Sequence, residues 1–495
     1  MKIHPPVPSS MAAVACALAL VEVVAVCAKS VPSVRSSGEA APPRAAIRPD
    51  VDTMARAFIA RQRIPGVSVA VAHRGRQVYA SAFGLANLEL EAAATPDTVY
   101  EIGSISKQFA AQAIMTLVEA GSVGLDRTVG AYLPALPEAW SSVTIRHLLT
   151  HTSGIPDWEA LGLLSYRQEY TIEEFVDLLA KLPLDFQPGT RFAYSNSTFP
   201  LLGAVIARVT GVSFEDYVRD HVFKPAGLVQ TRFKTPAELV KRRASGYVDR
   251  GGILVNGEAL RPRVIAANGG ILSTAPDMVA WLAALAAGRI VKPQTLDLMR
   301  APLQLANGQP YNAGIAWFLD TFRGHRVLLH NGSTVGGFSS VVYWYPDDEL
   351  AVAVLMNIDR WNAVNVLATK VANAFVPGLS TGELAARTDL EPDLTANLLG
   401  LLRAIADGRD SALLAPSLRT PSGRPRVPPG FGFGGTADRF ELLDREDFGA
   451  SGVLRFGQTI RWIYRYKLRS GTRTVCYTFE LTPGRLVARL IPEDE

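Results

Sequence analysis

Apolar residues recur at two different periods along this chain, and the order in which the periods alternate predicts an architecture. Met54, Ala55, Phe58 and Ile59 fall at helical spacing within Val51 to Gln62, so a surface helix is expected there, stopped by Pro65-Gly66. Val67 to Ala72 is apolar throughout and suits a buried strand. His73-Arg74-Gly75-Arg76 then turns the chain so that Gln77 to Phe83 returns beside it. From Ser104 to Ala120 the period is helical again, with Phe109, Ala113 and Leu117 marking one buried face, and Gly121 ends the run. Thr144 to Leu149 reads as a short helix before the polar turn His151-Thr152-Ser153-Gly154. Thr171 with Glu174 is a capping-box pattern; Ser213 with Asp216, and Thr274-Ala275-Pro276-Asp277, mark further helix starts. With a helix from about Pro200 to Val209, most of Ser104 to Arg300 reads as helical. Strands return near Arg326 to His330, Phe338 to Trp344 and Leu350 to Met356, with Asp347 and Asp348 turning the last two, and Asn362 to Phe375 closes as a helix.

Strands at both ends of one region imply an α/β fold: a single antiparallel sheet flanked by the terminal helices, with an all-helical insertion. Pro377 to Pro392 is a linker candidate. After it come an amphipathic helix, Leu394 to Ile405, and a Pro/Gly-rich loop, Pro421 to Gly435. Alternating stretches follow at Phe440 to Leu443, Val453 to Phe456, Ile460 to Tyr466, Thr474 to Leu481 and Arg485 to Ile491. These predict a small β-rich C-terminal domain. Arg461, Arg465 and Lys467 among Trp462, Tyr464 and Tyr466 read as a half-buried strand with solvated cations, or else as an aromatic strand facing a ligand. The expected organisation is 1–28 signal peptide or membrane anchor, 29–50 tether, 51–376 main domain, 377–392 linker and 393–495 accessory domain.

Composition narrows the function. With 495 residues, 48% of them hydrophobic and 19% charged, the chain can bury a large core. A net charge of +4 and no basic cluster interleaved with aromatics in a groove-like pattern argue against nucleic acid. Lys2, the Ala/Val-rich run Met11 to Ala28, and Val26 and Ala28 at a cleavage site suit a signal peptide, implying a periplasmic or extracellular protein; a retained anchor is the alternative, and it would be the route to a membrane. Cys16 and Cys27 fall inside that segment, which leaves Cys476 and no internal disulfide.

The chemistry centres on Ile102-Gly103-Ser104-Ile105-Ser106-Lys107. Three residues apart on a helix start, a lysine amine reaches a serine hydroxyl, and a serine needs such a base to become a nucleophile. Tyr194-Ser195-Asn196 and His330-Asn331-Gly332 follow in order, with Arg146 to Ile155 and Gly269-Gly270-Ile271 as context. In these motifs the region from about Val51 to Phe375 resembles the serine β-lactamase and penicillin-binding-protein superfamily, in particular its class C β-lactamase, D-alanyl-D-alanine carboxypeptidase and esterase branch.

The resemblance implies a β-lactamase/transpeptidase-like fold, an acyl-enzyme mechanism and no cofactor or metal. It assigns Ser104 as nucleophile, Lys107 as base, Tyr194 as proton carrier and Asn196 as the group orienting Lys107. The backbone N–H groups of Ser104 and Ser333 would form the oxyanion hole, and His330, Asn331 and Gly332 would bind substrate. The third motif departs from the superfamily's lysine, threonine or serine, glycine. A histidine is mostly neutral where lysine is charged, so a substrate carboxylate is held less firmly. The expected substrate is therefore an ester, or an amide or peptide containing a D-amino acid. A β-lactamase or carboxypeptidase is the alternative, and a sensor or structural protein acylated without turnover is another. The sequence does not fix the oligomeric state. Gly378-Leu379-Ser380-Thr381-Gly382 mimics a nucleophile elbow but lacks a preceding strand. His147 and His151 are four apart with Leu148 where a zincin needs glutamate; packing, capping and turn orientation suit them better.

Overall fold

Seven antiparallel strands carry the molecule: β1 (Gly66–His73), β2 (Arg76–Asn87), β3 (Ala92–Ala93), β4 (Phe318–Phe322), β5 (His325–Thr334), β6 (Phe338–Tyr345) and β7 (Leu350–Met356). Their spatial order is β4-β5-β6-β7-β1-β2-β3, so β1 and β7, far apart in sequence, pair at the centre with Val69 opposite Val354. The computed structural model describes residues 48–235, 237–258, 263–381, 384–419, 427, 431–455 and 457–494. The signal or anchor segment, nearly all of the expected tether, Gly382 and most of the Pro421–Gly435 loop lie outside the described residues.

Alternation along the central strands decides what packs where. Val67, Val69, Val71, Leu350, Val352 and Val354 face one side, where they meet helices α1 (Pro49–Gln62) and α2 (Trp361–Phe375) through Phe58, Leu367 and Val371. Ala70, Ala72, Ala351 and Ala353 face the other side, against the helix Ala275–Ala286 with its Met278, Leu282 and Leu285. Alanines on that face leave room for a helix to lie close to the sheet. The helical insertion completes this second layer. Its predicted caps are present: Thr171 and Glu174 form a reciprocal capping box, and Ser213 and Thr274 accept from the backbone N–H of Asp216 and Asp277.

Three expectations need correction. The helix after Ser104, Ser106–Glu119, was expected to bury one face, yet Ser106 through Met115 are all buried. It runs through the middle of the helical block, packed on the helix Thr198–Thr210 and the turn Ala266–Gly269. Some of its polar atoms find partners inside: Gln108 Oε1 accepts from Trp281 Nε1 at 3.3 Å and Ser106 Oγ from Ile271 N–H at 3.2 Å, while the Gln112 amide has none among the described residues. The strand expected at Arg326 to His330 continues to Thr334, and its outer neighbour β4 was missed. The cation-bearing C-terminal strand is not solvated: Arg465 is 2% and Lys467 8% exposed.

That strand belongs to a smaller, separate sheet of β8 (Arg439–Asp447), β9 (Trp462–Ser470), β10 (Arg473–Leu481) and β11 (Val487–Asp494), all antiparallel in that order. Trp462, Tyr464, Tyr466 and Leu468 of β9 cover Leu398, Leu402 and Ile405 of the helix Pro392–Ala406. On the opposite face Arg465 Nη1 donates to Asp444 at 3.0 Å and Glu446 at 2.5 Å, and its guanidinium lies 4.6 Å from the Phe322 ring of β4. The second face is thus closed by paired charges against the main sheet. Gly378 to Thr381 follows helix α2, with Gly378 and Ser380 N–H donating to Asn373 Oδ1, so it has none of the strand-to-helix strain of an elbow.

Leu355 of β7 is fully buried in the layer facing the helical block. Leu355→Ala should cost about 2–5 kcal/mol, read as a lower denaturation midpoint with the circular dichroism of the folded state retained.

Candidate active site

Ser104 sits in a single 3-10 turn, Gly103–Ile105, immediately ahead of the buried helix Ser106–Glu119. The turn is held from both sides. Ile102 N–H donates to Ile271 O at 3.1 Å, and Ser340 Oγ of β6 donates to Ile102 O at 2.8 Å. Two glycines allow β5 to come this near. Gly103 has φ +50°, and a Cβ on it would stand 2.8 Å from Ser333 O and 2.9 Å from Ser333 N; a Cβ on Gly332 would stand 2.0 Å from Ile102 O. The backbone N–H of Ser333 is therefore beside the serine turn. The Ser333 hydroxyl donates away from the turn, to Asp359 Oδ1 at 2.8 Å, so Ser333 offers its backbone rather than its side chain.

The Lys107 amine donates to three oxygens: Ser104 Oγ at 2.9 Å, Asn196 Oδ1 at 2.7 Å and Asn268 O at 3.1 Å. It is fully buried, and desolvation lowers its pKa to about 7, against the opposing pull of the Glu159 and Asp157 carboxylates. Near neutral pH a large share of this amine is unprotonated and able to accept a proton.

Tyr194 and Asn196 arrive on a loop built by the polar turn at His151. His151 has φ +57°; its carbonyl accepts from Ala193 N–H at 2.9 Å and its Nδ1 from Ser195 N–H at 3.1 Å. Its ring stacks on Tyr194 at 4.4 Å. Burial first, then the positive charge at Lys107, pushes the His151 pKa well down, so the ring is neutral and Nδ1 is an acceptor. His147 serves the capping box of the preceding helix, accepting at Nδ1 from Thr144 N–H at 3.2 Å. Asn196 N–H donates to Asp157 Oδ1 at 3.1 Å. Tyr194 lies with Lys107 Nζ 4.9 Å from its ring centroid and lines the cavity with Ser104; burial raises its pKa, against the opposing influence of the Ser104 side chain, so the phenol stays protonated.

From the third motif, His330 Nδ1–H donates to Asn331 O at 2.7 Å, and burial, with Lys107 behind it, brings its pKa to about 3. His330 is neutral at any working pH. Asn331 Nδ2 donates to Asn365 Oδ1 at 2.8 Å. The last pair between β4 and β5 is Phe318 with Leu329, so residues 330–334 present an open strand edge. All eight residues singled out from the sequence thus meet around one place. Six of them, all but Lys107 and Gly332, line a cavity of about 610 Å³: Ser104, Tyr194, Asn196, His330, Asn331 and Ser333. A larger cleft of about 890 Å³, lined by Arg219, Arg232 and Lys234 among others, does not include Ser104.

Sequence reasoning missed Glu159, Asp157, Asp359 and Arg489. Glu159 accepts from Asn196 Nδ2 and from the Tyr166 hydroxyl, and it lines the cavity with Asp359 and Arg489. None stands in a motif. Pro156-Asp157-Trp158-Glu159, a carboxylate pair directly after the polar turn, was the one signal available for the first two.

The sequence profile described as Beta-lactamase matches residues 51–374. Penicillin-binding protein 4* of Bacillus subtilis (strain 168) is 28% identical over 307 residues, which span 59% of this chain and 67% of that protein. Protein flp of Staphylococcus aureus (strain MW2) is 26% identical, over 63% of its length. A beta-lactamase of Escherichia coli (strain K12) is 26% identical over 361 residues, 64% of this chain and 90% of that one. Among solved structures, an octameric penicillin-binding protein homologue from Pyrococcus abyssi is similar with TM-score 0.59 and 25% identity, covering 88% of this chain and 96% of its own. A D-amino acid amidase from Ochrobactrum anthropi SV3 is similar with TM-score 0.57 and 25% identity, covering 67% and 97%.

A neutral Lys107 is needed to take a proton, so reactivity that depends on it is present above its pKa and lost below. Labelling of Ser104 by a fluorophosphonate should accelerate as pH rises through about 7. Glu159→Gln removes a charge that favours the protonated amine, so the midpoint of that profile should move to lower pH.

Proposed function

Because this chain belongs to the beta-lactamase family, we propose that it is a serine hydrolase that forms an acyl-enzyme at Ser104 from an ester, or from an amide or short peptide containing a D-amino acid. One observation carries the reading: a buried amine with its pKa brought to about 7, 2.9 Å from the Ser104 hydroxyl, at the floor of an open cavity.

The reaction follows from the donors and acceptors in place. Lys107 takes the Ser104 proton as Oγ attacks the substrate carbonyl carbon. The developing oxyanion accepts from the backbone N–H groups of Ser104 and Ser333, each such donor contributing roughly 3–4 kcal/mol. Tyr194, held protonated by its burial and lining the cavity with Ser104, hands its proton to the departing oxygen or nitrogen and is reprotonated from Lys107. Water then attacks the acyl carbonyl, giving its proton through the same groups, and Ser104 leaves with a proton restored.

Substrate choice rests on charge. With His330 neutral and Asn331 turned to Asn365, the third motif holds no fixed cation for a β-lactam carboxylate. Glu159 gives the cavity an anionic wall beside Asn196, suited to a substrate amino group. Likeness in fold to a D-amino acid amidase supports the same direction. The E. coli beta-lactamase supports the alternative of β-lactam turnover. The branch we favour within the superfamily is the one holding class C β-lactamases, D-alanyl-D-alanine carboxypeptidases and esterases. Export through the N-terminal segment, and a division into a hydrolase domain to residue 376 and an accessory domain from 393, are part of the same proposal.

Mass spectrometry after treatment with a fluorophosphonate should place the adduct on Ser104, and Ser104→Ala should abolish it while leaving the unfolding free energy within about 1 kcal/mol of the parent. Across a panel, short acyl esters and D-amino amides should be turned over faster than cephalosporins. Faster cephalosporin hydrolysis would reverse the assignment in favour of a β-lactamase, and stoichiometric acylation with no turnover would favour a sensor.

A further inference from the structure

The cavity that holds Ser104 carries negative charge that its own side chains do not cancel. Among the described residues, three acids line it, Glu159, Asp320 and Asp359, with Arg489 as the one arginine or lysine. Arg489 and Asp320 answer each other at 3.6 Å, and Arg455 with Glu480 completes a balanced set of two guanidinium groups and two carboxylates. Glu159 and Asp359 are left over. Glu159 accepts from Asn196 Nδ2 and the Tyr166 hydroxyl, and Asp359 accepts from Ser333 Oγ at 2.8 Å. Neither has a lysine or arginine partner among the described residues.

These two carboxylates reach the nucleophile from different sides. Lys107 joins Ser104 Oγ to Asn196 Oδ1, and Asn196 leads to Glu159. In the other direction Gly103 abuts Ser333, whose hydroxyl leads to Asp359. Asp359 is also fixed by its backbone, its N–H donating to Tyr247 O at 3.3 Å. The neighbouring cation is turned elsewhere: Arg360 pairs with Asp249, and its N–H donates to Ser339 Oγ at 2.8 Å.

Trp361, two residues on from Asp359, opens helix α2 and lines the same cavity. Of the seven tryptophans, six are at most 5% exposed, whereas Trp361 is 51% exposed. Among the described residues no aromatic ring or guanidinium packs on its indole. An open aromatic face and an uncompensated carboxylate are the two features that attract an organic cation, one through the ring quadrupole and the other through its formal charge. A carboxylate just ahead of a helix also favours the helix N-terminus, but that role needs neither the indole nor a place in the cavity wall.

We propose that Asp359 and Trp361 form a subsite for an alkylammonium group of the substrate, on the side of Ser104 away from Glu159. This rests on Ser104 being the nucleophile. The cavity then suits an ester or amide with a positive charge on each half, one held at Glu159 and the other between Asp359 and Trp361. A carboxylate on the second half is repelled.

The test uses the full chain and two pairs of esters. Each pair sets a trimethylammonium group against the neutral isostere with carbon in place of nitrogen, on the acyl half in one pair and on the alcohol half in the other. The wild-type protein should prefer the cation about tenfold in kcat/KM in both pairs, the size expected of one partly desolvated cation on a ring. Asp359→Asn and Trp361→Leu should erase the preference in one and the same pair, mainly through KM, and Trp361→Phe should keep part of it. Glu159→Gln should erase the preference in the other pair. Saturating fluorophosphonate labelling at Ser104 and the unfolding midpoint report whether each variant keeps its site and fold. Absence of any preference in the wild type overturns the subsite, as does a preference that survives both Asp359→Asn and Trp361→Leu. Both pairs answering to Glu159→Gln alone would overturn it too. So would an equal loss on cation and isostere, which would make the two residues part of the helix start and nothing more. No adduct on wild-type Ser104 would bring down the hydrolase reading itself, and the subsite with it.

Discussion

A lysine amine enclosed at the centre of the molecule sets the terms for everything around it. Removing an ammonium from water is costly, and the fold meets that cost in two ways at once. It supplies oxygen acceptors from three separate segments, those of Ser104, Asn196 and Asn268, and it lets the amine lose its proton near neutral pH. Glu159 and Asp157 act against the second route and hold the pKa near 7 rather than lower. The same burial that unbinds the lysine proton keeps the Tyr194 proton on and leaves His151 and His330 neutral. Four titratable groups are thereby sorted into an acceptor, a donor and two uncharged rings by one physical cause.

Parts of this were legible from local pattern and parts were not. Ser104 with Lys107, the capping pairs at Thr171 and Ser213, and the apolar runs of β1 and β7 each carry their signal within a few residues. Helix Ser106–Glu119 defeated the one-face reading because its second face is buried by segments 90 to 160 residues downstream, such as Asn196 and Asn268, which leave no trace in its own period. Strand β4 is short, and Asp320 interrupts it; that aspartate is tolerated because Arg455 reaches it from another sheet. Arg465 and Lys467 looked solvated since charge usually means exposure, and only the acids Asp444 and Glu446 with the Phe322 ring make burial of Arg465 affordable.

The two sheets meet through charge rather than through a continuous apolar core. Asp320 and Phe322 of β4 face Arg489 and Arg465 of the C-terminal sheet, while Phe318 of the same strand packs on Tyr194 and His330. One five-residue strand therefore borders both the cavity and the inter-sheet ion pairs. Charged clusters of this kind contribute modest net stability but strong geometric specificity, because a misplaced partner leaves a buried charge alone. Trp462, Tyr464 and Tyr466 stabilise the C-terminal sheet from behind, against its own helix, so its placement and its internal stability are handled by different faces.

Helix Ser106–Glu119 has no water-facing side over its first ten residues. Such a segment gains nothing by forming early: in an unfinished chain its apolar and polar side chains alike would lack neighbours, and an isolated helix of this length is marginal. Its consolidation is tied to closure of the sheet around β1 and β7 and to docking of the insertion, events that join residues hundreds of positions apart and are slow for that reason. The Lys107–Ser104 hydrogen bond, which joins that helix to the turn ahead of it, is therefore set in its final geometry only at that late stage, and partly folded chains do not hold the pair in place.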